Sequence, residues 1–286
     1  MKPAELPFTA RIARPSDYRL VARLCRRAVG PRDYVLSILG EVVADKGLFL
    51  AWSGEKLVGM TNFETCIDGS GWLSIARTDP ECRRRGVALF LQSRIAAHAK
   101  QRGMRILRLW TSSKNKPSIR ACLRGGFKPV CEAAHVSCSS RPQPRKPKID
   151  PLSSRSEALL KSFLRSTHLS KMNGYLAYKW HFVKTSRELL EQLLRRKELY
   201  KVGGSEFILT KPERSFRILA SSLTILNGPI VSSLRSAREI AKGLGAQAIG
   251  AYISYDPYLL RTAKKLGFKR DPWGRHCIVF ERELHS

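Results

Sequence analysis

Apolar positions in the first half of the chain change between a period of two and a period of about 3.6, which separates strands from helices. The resulting order is strand, two helices, three strands, helix, strand, helix and a closing strand region. The first helix follows a Pro-Ser-Asp start, and its predicted buried face holds Leu20, Leu24 and Ala28. The longest helix ends at a glycine, and its apolar positions at i+4 spacing are Val87, Leu91, Ile95 and Ala99. The pattern predicts an α/β domain.

Turn residues mark where the strands reverse. Ser53-Gly54-Glu55 lies between two strand patterns and predicts a hairpin, and Asp68-Gly69 marks the next turn. Residues 127–139 follow a short helical pattern and are predicted to form a closing hairpin. Residues 139–155 then combine prolines and serines with basic residues, which is the composition of a solvated linker.

The second half of the chain repeats part of this order. Two short stretches are alike, "CLRGGFK" at 122–128 and "AKKLGFK" at 263–269, and each ends a helix before a strand. Phe127 and Phe268 are 141 positions apart, about one domain length. The spacing and the matching order of elements predict two copies of one fold, at 1–138 and 156–286.

The chain is unusually basic. Its 52 lysines and arginines against 23 aspartates and glutamates give a net charge of +29, and the excess is spread over both halves. Either the protein contacts a polyanion such as RNA, or its whole surface is adapted to be basic. The apolar share of 43% is that of a globular protein with a proper core, which argues against global disorder.

Cysteine usage and the termini indicate the compartment. The seven cysteines are odd in number and form no C-x-x-C pair, which indicates reduced thiols rather than a disulfide framework or a zinc site. No metal is expected, because the histidines show no ligand spacing. The first residues lack the apolar core of a signal peptide, and no stretch approaches the roughly 20 apolar residues of a membrane span. We therefore expect a cytoplasmic protein without membrane contact.

One basic turn combines the features of an anion site. Arg83, Arg84 and Arg85 precede Gly86, after which the longest helix is predicted to begin. The first N–H groups of a helix have no partners within the helix, and the helix dipole adds about half a positive charge there. Gly86 allows close approach to the backbone, and the small Ala88 keeps the first helical turn open. The turn therefore suits a phosphate or pyrophosphate. A basic turn capped by a glycine, without a ligand, is the alternative.

This strand–turn–helix resembles the acetyl-coenzyme A loop of the GCN5-related N-acetyltransferases (GNAT), whose motif is Arg/Gln-x-x-Gly-x-Gly/Ala. Arg83, Gly86 and Ala88 stand at the defined positions, after Pro80-Glu81. The resemblance covers the element order of residues 10–138 and, in outline, the second half. It implies a GNAT-like α/β fold in two copies, with a mixed, mostly antiparallel sheet flanked by helices.

The resemblance also implies how the co-substrate acetyl-coenzyme A is held. The strand at 72–78 is expected to splay from the strand at 104–110, so that the backbone of Ala76, Arg77 and Thr78 bonds to the pantetheine arm. Their amides would also polarise the thioester carbonyl. Asn115 matches an asparagine that contacts the pantetheine region, with a turn or N-cap role as the alternative. The residues expected around the pyrophosphate are Arg83, Arg84, Arg85, Gly86, Val87 and Ala88.

Two positions depart from the usual GNAT pattern. Cys122 stands where many members carry a tyrosine that protonates the departing thiolate, and the sequence allows a proton-donating thiol or a buried apolar cysteine. The strand at 72–78 also lacks the glutamate that some members use as a base. Glu64 on the neighbouring strand is the best available carboxylate, with Asp79 behind it. Proton removal through water is the alternative.

The resemblance implies an acyltransferase that moves an acetyl group from acetyl-coenzyme A to a primary amine of a small molecule or amino acid. A protein N-terminus or lysine is the alternative acceptor. A GNAT-fold protein that binds nucleic acid or the ribosome without catalysis is the rival interpretation. The second copy lacks the motif, because Asn227-Gly228-Pro229 stands at the corresponding turn and Pro229 removes a donor. That copy is expected to be degenerate for cofactor binding.

Overall fold

The computed structural model describes residues 8–143, 149–154, 156–215, 218–270 and 276–284. These residues form two compact units whose segments alternate along the chain. The first unit is drawn from 8–109, 116–128 and 280–284, and the second from 110–115 and 129–279. The predicted linker at 139–155 includes 144–148 and 155, which lie outside the described residues. The domain limits 1–138 and 156–286 stay a prediction.

The first unit contains a mainly antiparallel sheet with helices packed on it. Strands β1 to β4 pair antiparallel in chain order, whereas β4 and β5 run parallel. Its elements, some of which extend into the second unit's segments, are β1 (Thr9–Ile12), α1 (Tyr18–Ala28), α2 (Leu39–Ala44), β2 (Leu48–Ser53), β3 (Lys56–Thr65), β4 (Gly71–Thr78), α3 (Val87–Gln101), β5 (Ile106–Ser112) and α4 (Lys116–Arg124).

Two helices of this unit show how well periodicity predicts a buried face. In α3 the predicted core positions are all at most 1% exposed: Val87, Leu91, Ile95 and Ala99. The prediction for α1 is partly wrong, because Leu20 is 39% exposed while Val21, Leu24 and Cys25 are buried. Val21, Leu24 and Cys25 follow an i, i+3, i+4 stripe, and burial of that stripe turns Leu20 towards solvent.

The second unit has a mixed sheet in which β6, β13, β12, β10 and β9 are neighbours in that order. The pairing of β12 with β13 is parallel, and the other pairs are antiparallel. Its elements continue the chain as β6 (Lys128–Ser139), α5 (Glu157–Leu164), α6 (Thr167–Ser170), β7 (Tyr175–Tyr178), β8 (His181–Lys184), α7 (Arg187–Arg196), β9 (Leu199–Val202), β10 (Ser205–Leu209), β11 (Glu213–Ser215), β12 (Ile218–Asn227), α8 (Ile230–Gly243), β13 (Ala248–Ser254), α9 (Pro257–Lys265), β14 (Lys269–Arg270) and β15 (Cys277–Glu283).

The hairpin predicted at 127–139 is wrong, because β6 is one continuous strand. Residues Ala133 to Ser139 of β6 pair without a break with Ser254 to Ala248 of β13. The segment contains no glycine or asparagine that would favour a reversal, and its single proline, Pro129, lies near the strand start, where a missing N–H is tolerated. A continuous partner strand thus replaces the expected turn.

The end of the chain belongs to the first unit. Arg108 on β5 is 4% exposed and bonds Asp68, Ser70 and Glu281, with Nε of Arg108 2.6 Å from a Glu281 carboxylate oxygen. The N–H of Leu284 donates to the carbonyl of Arg105 at 2.8 Å. The buried Arg108 pairs with carboxylates from two distant parts of the sequence and so holds the final segment in the first unit.

The expected mixed α/β fold is confirmed, with a mostly antiparallel sheet flanked by helices.

Candidate active site

Strand β4 separates from its parallel partner soon after it begins. It pairs with β5 only at Gly71–Leu107 and Trp72–Arg108, whereas its pairing with β3 continues to Thr78. Among the described residues, the edge of β4 beyond this fork has no strand partner on the β5 side. The backbone groups of a strand edge that is left unpaired are available to an extended ligand.

A bulge lies in β4 just beyond the fork. The register against β3 shifts between Met60 and Asn62, and Ile75 has a positive φ of 56°. A β-branched residue in this region is a strained outlier, and such strain is concentrated at functional sites. The bulge bends the strand and redirects its backbone at Ala76, which is exposed.

The side chain of Arg77 is anchored inside the unit. Its Nε and Nη2 lie 2.8 and 2.7 Å from the carboxylate of Asp33, whose side chain is fully buried, and the guanidinium lies 5.4 Å from the Tyr34 ring centroid. Burial alone would lower the pKa of Arg77, but the hydrogen bonds to Asp33 and the negative charge of Asp33 together outweigh burial, so the pKa is raised. Arg77 therefore fixes the bulged strand through its side chain, which leaves its backbone as the part that a ligand can reach.

The loop between β4 and α3 is held at its base and exposed at its tip. Asp79 is 2% exposed, accepts a hydrogen bond from the Glu81 N–H and pairs with Arg27. Arg83 donates to the carbonyl of Ala28 at 2.8 Å. At the tip, Arg84 and Gly86 have φ values of 64° and 86°, so the backbone turns through the left-handed region twice. Backbone N–H groups in such turns form concave anion sites.

Helix α3 begins directly after Gly86, as predicted. No side chain caps this N-terminus, and the first intrahelical bond runs from the Phe90 N–H to the Gly86 carbonyl at 2.9 Å. The N–H groups of Val87 to Leu89 precede that bond, so they point out of the helix end. The helix start sits close to the sheet, because a Cβ on Gly59 of β3 would lie 2.4 Å from Val87. This end of α3 can bind an anion.

Glu64 lies beside the fork. Its carboxylate accepts hydrogen bonds from Asn62 Nδ2 and Ser74 Oγ, both at 3.0 Å, and it stands opposite Trp72 in the β3–β4 register. Tyr34 is a neighbour: burial raises the pKa of its phenol, and the charge of Glu64 adds to the rise. Tyr34 and Ser74 could not be predicted from the sequence, because a lone tyrosine or serine has no recognisable pattern until the fold places it beside other residues.

The remaining predicted residues lie elsewhere. Cys122 on α4 is 1% exposed, and burial raises the pKa of its thiol to about 11. Asn115 precedes α4, and its N–H donates to the carbonyl of Ser112 at 2.8 Å; it belongs to the second unit. The roles predicted for Cys122, Asn115 and Glu64 stay predictions.

The second unit contains a corresponding crossover, from β12 through α8 to β13. Only residues 228–229 connect β12 to α8, and Pro229 occupies the N-cap position. The parallel pairing covers four register pairs, from Ala220–Ala248 to Leu223–Ala251. Gly228 is tightly enclosed, because a Cβ there would lie 2.3 Å from the carbonyl oxygen of Gly204. This crossover has no long loop between strand and helix.

A segment of the same unit covers the end of β12. Ser166 Oγ donates to the carbonyl of Leu226, the Thr167 N–H bonds Asn227 Oδ1 at 3.0 Å, and His168 Nε2 lies 2.9 Å from the carbonyl of Gly228. Two backbone carbonyls at this end of β12, those of Leu226 and Gly228, are thus bonded to side chains of this segment.

The comparisons with known proteins agree with this geometry. Residues 19–127 match the acetyltransferase (GNAT) family, so this part of the chain carries a domain of that family. The chain is similar in fold to a GCN5-related N-acetyltransferase from Sphaerobacter thermophilus (12% identity, TM-score 0.59, covering 100% of this chain and 98% of that chain). It is also similar to a candidate acetyltransferase from Thermoplasma acidophilum (17% identity, TM-score 0.59, 96% and 99% covered) and to one from Pyrococcus horikoshii (16%, 0.54, 99% and 91%).

No curated protein matches the chain. The family match in residues 19–127 supports assignment of the protein as an acyltransferase. Among the described residues, no cluster of three or more histidine, cysteine, aspartate or glutamate side chains could hold a metal ion. Within the same part of the chain, every helix is too short or too polar to cross a membrane.

Proposed function

We propose that the first unit binds acetyl-coenzyme A along β4 and at the start of α3, and that the protein transfers the acetyl group to a primary amine. The observation that carries the proposal is that two features follow each other along the chain: a bulged strand edge without a strand partner among the described residues and, after the loop, a helix start without a side-chain cap. An extended ligand can bind along the strand edge with one part and place an anionic group at the helix start with another.

The residues of the chain have distinct parts in this proposal. The backbone of Ala76, Arg77 and Thr78 binds the pantetheine arm, and the N–H groups from Arg84 to Ala88 bind the pyrophosphate. Arg83 and Arg85 add positive charge at the rim, where both are exposed. When bound, acetyl-coenzyme A supplies the activated acetyl thioester. A backbone amide of the bulge stabilises the negative charge that develops on the carbonyl oxygen.

Proton movements are assigned to residues near the fork. Glu64 removes a proton from the acceptor amine, directly or through water, with Ser74 and Asn62 holding its carboxylate in place. Cys122 has a packing role in our proposal, because a thiol with a pKa of about 11 that is 1% exposed is a poor partner for a ligand. A coenzyme A thiolate can leave without a dedicated acid.

We further propose that the chain is a tandem of two GNAT-like copies and that the second is degenerate. The two similar stretches at 122–128 and 263–269 also have the same backbone geometry. Gly126 and Gly267 have φ values of 78° and 83°, and the N–H groups of Phe127 and Phe268 each donate to a carbonyl five residues earlier at 3.0 Å. The same helix-ending motif thus occurs once in each half. The contacts of Ser166, Thr167 and His168 at the end of β12 support the loss of cofactor binding in the second copy.

A titration of the full chain with acetyl-coenzyme A, followed by a screen of amines with free-thiol detection, tests the function. Binding followed by thiol release with an amine supports it. Absence of binding at millimolar acetyl-coenzyme A contradicts it. The same screen with peptides separates a small amine from a protein N-terminus or lysine as acceptor.

The net charge of +29 favours a second candidate function, contact with RNA. In the first unit, Arg23 and Arg26 of α1 and Arg84 and Arg85 of the loop are exposed. If this is the main function, the protein is retained on RNA in a salt-dependent manner and does not bind acetyl-coenzyme A. Retention that competes with acetyl-coenzyme A would place both on the same loop.

A further inference from the structure

The hairpin of β7 and β8 in the second unit has a two-residue turn. Tyr178 pairs with His181, so only Lys179 and Trp180 connect the two strands. Lys179 has a φ of 60°, which lies in the left-handed region that favours glycine. Turns of this length favour Asn-Gly or Asp-Gly, because those residues adopt a positive φ at little cost. The turn therefore keeps a lysine and a tryptophan where the backbone alone would favour other residues.

Trp180 is exposed at this turn. It is 44% exposed, whereas the tryptophans at 52, 72 and 110, the others that the structure describes, are buried or half-buried. The Trp180 ring lies 5.3 Å from the His181 ring, centroid to centroid, at an interplanar angle of 75°. The two rings thus meet edge to face and are not stacked. A large part of the indole surface remains open to a ligand.

Cationic groups lie beside the aromatic ring that precedes the turn. Tyr178 and His181 stand opposite each other in the register, so their side chains are on the same face of the hairpin. Lys179 Nζ and the guanidinium carbon of Arg196 lie 5.7 and 5.9 Å from the Tyr178 ring centroid, within the range of cation–π contact. Aromatic and cationic side chains are therefore neighbours around this turn.

The hairpin is held in place by buried groups. The Tyr178 hydroxyl donates to a carboxylate oxygen of Glu198 at 2.9 Å, and both residues are at most 5% exposed. The carbonyl of Lys179 accepts a hydrogen bond from Ser222 Oγ of β12 at 3.3 Å. A surface that is fixed before binding loses less conformational entropy when a ligand binds.

The end of α7 adds positive charge beside the hairpin. Arg195, Arg196 and Lys197 are consecutive and exposed, and the contact of Arg196 with the Tyr178 ring places this helix end next to the turn. Lys179 is paired with Glu213 at 2.6 Å, but Glu213 is 51% exposed, so solvent screens the pair and a phosphate can compete for the ammonium group. In a chain of net charge +29, a polyanion is the partner that complements this surface.

We infer that this hairpin binds single-stranded RNA, with a base stacked on Trp180 and backbone phosphates at Lys179 and Arg196. Exposed aromatic rings beside cations suit a single strand, because its bases are free to stack and its backbone carries the charge. The inference gives the RNA contact considered above a site in the second unit, and it does not depend on acetyl transfer.

Fluorescence anisotropy of the full chain with a labelled single-stranded RNA of about 12 nucleotides tests the inference. We expect binding at about 0.15 M salt. Polyphosphate of similar charge, which has no bases, is expected to bind at least tenfold more weakly. The inference is overturned if the RNA does not bind at that salt, or if polyphosphate binds equally well.

Variants of Trp180 test the stacking contact. Trp180→Ala is expected to weaken RNA binding by about tenfold and to leave polyphosphate binding unchanged, whereas Trp180→Phe should stay close to the parent because it keeps a ring. Tyr258→Ala is the control, since Tyr258 on α9 is an aromatic residue that is 63% exposed. Unchanged RNA affinity in Trp180→Ala, or an equal loss in Tyr258→Ala, contradicts stacking on Trp180.

The salt dependence of binding tests the phosphate contact. Arg196→Gln is expected to reduce the slope of log K against log salt by about 0.7, the value for one phosphate contact with a single strand, whereas Trp180→Ala should leave the slope unchanged. Arg261→Gln removes the same charge from an exposed position on α9 and should leave slope and affinity unchanged. An equal change in Arg261→Gln would refute a specific contact at Arg196.

One further variant separates this site from the loop that precedes α3. If Arg84→Gln abolishes RNA binding while Arg196→Gln and Trp180→Ala bind normally, RNA contacts the loop and the hairpin site is refuted. Titration of the same preparations with acetyl-coenzyme A keeps the two proposals apart. Absence of cofactor binding would refute acetyl transfer alone, whereas cofactor binding without any RNA binding would refute the hairpin site alone.

Discussion

The two strand–helix–strand crossovers begin alike and end differently. In the first unit, β4 leaves β5 after two register pairs, and residues 79–86 form a long loop before α3. In the second, β12 stays with β13 for four pairs, and only residues 228–229 precede α8. Both units contain a parallel strand–helix–strand crossover. They differ in how far the two parallel strands stay paired and in the length of the loop before the helix.

Backbone groups without a partner in the chain are what an extended ligand can bind at such a crossover. In the first unit, β4 has no strand partner on the β5 side beyond Trp72 among the described residues, and no side chain caps the start of α3. In the second unit the end of β12 is bonded to Ser166, Thr167 and His168.

The largest expected effect comes from Gly86→Glu. A carboxylate at the start of α3 repels the pyrophosphate and is expected to weaken acetyl-coenzyme A binding by on the order of 100-fold or more, as measured by calorimetry. Gly245→Glu is the control, because Gly245 at the end of α8 has a similar φ of 90° with nothing close to its Cβ. Both variants carry the same left-handed strain, so equal losses of affinity would contradict a site at Gly86.

Asn227→Ala is expected to lower stability without changing the affinity for acetyl-coenzyme A. The Asn227 side chain bonds Ser162, Glu206 and Thr167 at the end of β12, so its loss is expected to lower the free energy of unfolding by about 2–3 kcal/mol. Affinity for acetyl-coenzyme A per folded molecule should stay the same. Denaturant unfolding and calorimetry on one preparation check both. A loss of affinity without a loss of stability would make the second crossover a ligand site.

Cys122→Ser separates packing from proton donation. If Cys122 only packs, a buried hydroxyl in place of the thiol is expected to cost about 1–3 kcal/mol, seen as a lower melting temperature, while turnover per folded molecule holds. A serine hydroxyl is a far weaker acid than a thiol. Turnover reduced tenfold or more at an unchanged melting temperature would assign the proton to Cys122.

The smallest effect is expected at the outer side of the loop. Hydrogen bonds from Lys56 and then Arg27 lower the pKa of Glu81 to about 2. A lowered pKa adds stability above the ordinary value near 4.5, and this contribution is lost as the pH falls towards 2. Because Glu81 is 64% exposed, solvent screens the pair, and Glu81→Gln should shift the melting temperature at pH 7 by about 2 °C or less. A larger shift would mean that the pair holds the loop.

The sequence predicted the first unit better than the second. The start of α3 after Gly86 and the hairpin at Ser53-Gly54-Glu55 could be predicted because turn chemistry and periodicity are local. The pair β7–β8 and the short α6 gave no periodic signal, since each is four residues per element. The bulge at Ile75 could not be predicted, because it arises from the pairing of β4 with β3.

The side chains that bond Arg77 and Arg108 could not be predicted from the sequence either. Arg77 was predicted for its backbone, but its bond to Asp33 joins residues 44 positions apart and became visible only in the fold. Arg108 likewise reaches Glu281 across 173 positions. Motifs mark where a ligand meets the backbone, whereas the side chains that hold that backbone in place come from distant segments.

The proposal that only one of the two crossovers binds acetyl-coenzyme A can be tested by measuring the stoichiometry of binding. We expect calorimetric titration of the full chain to give one molecule bound per chain, because in our proposal only the crossover from β4 to α3 binds acetyl-coenzyme A. A stoichiometry of two would show that the second crossover also binds the cofactor. The absence of any binding would contradict the assignment of the open crossover as a coenzyme A slot.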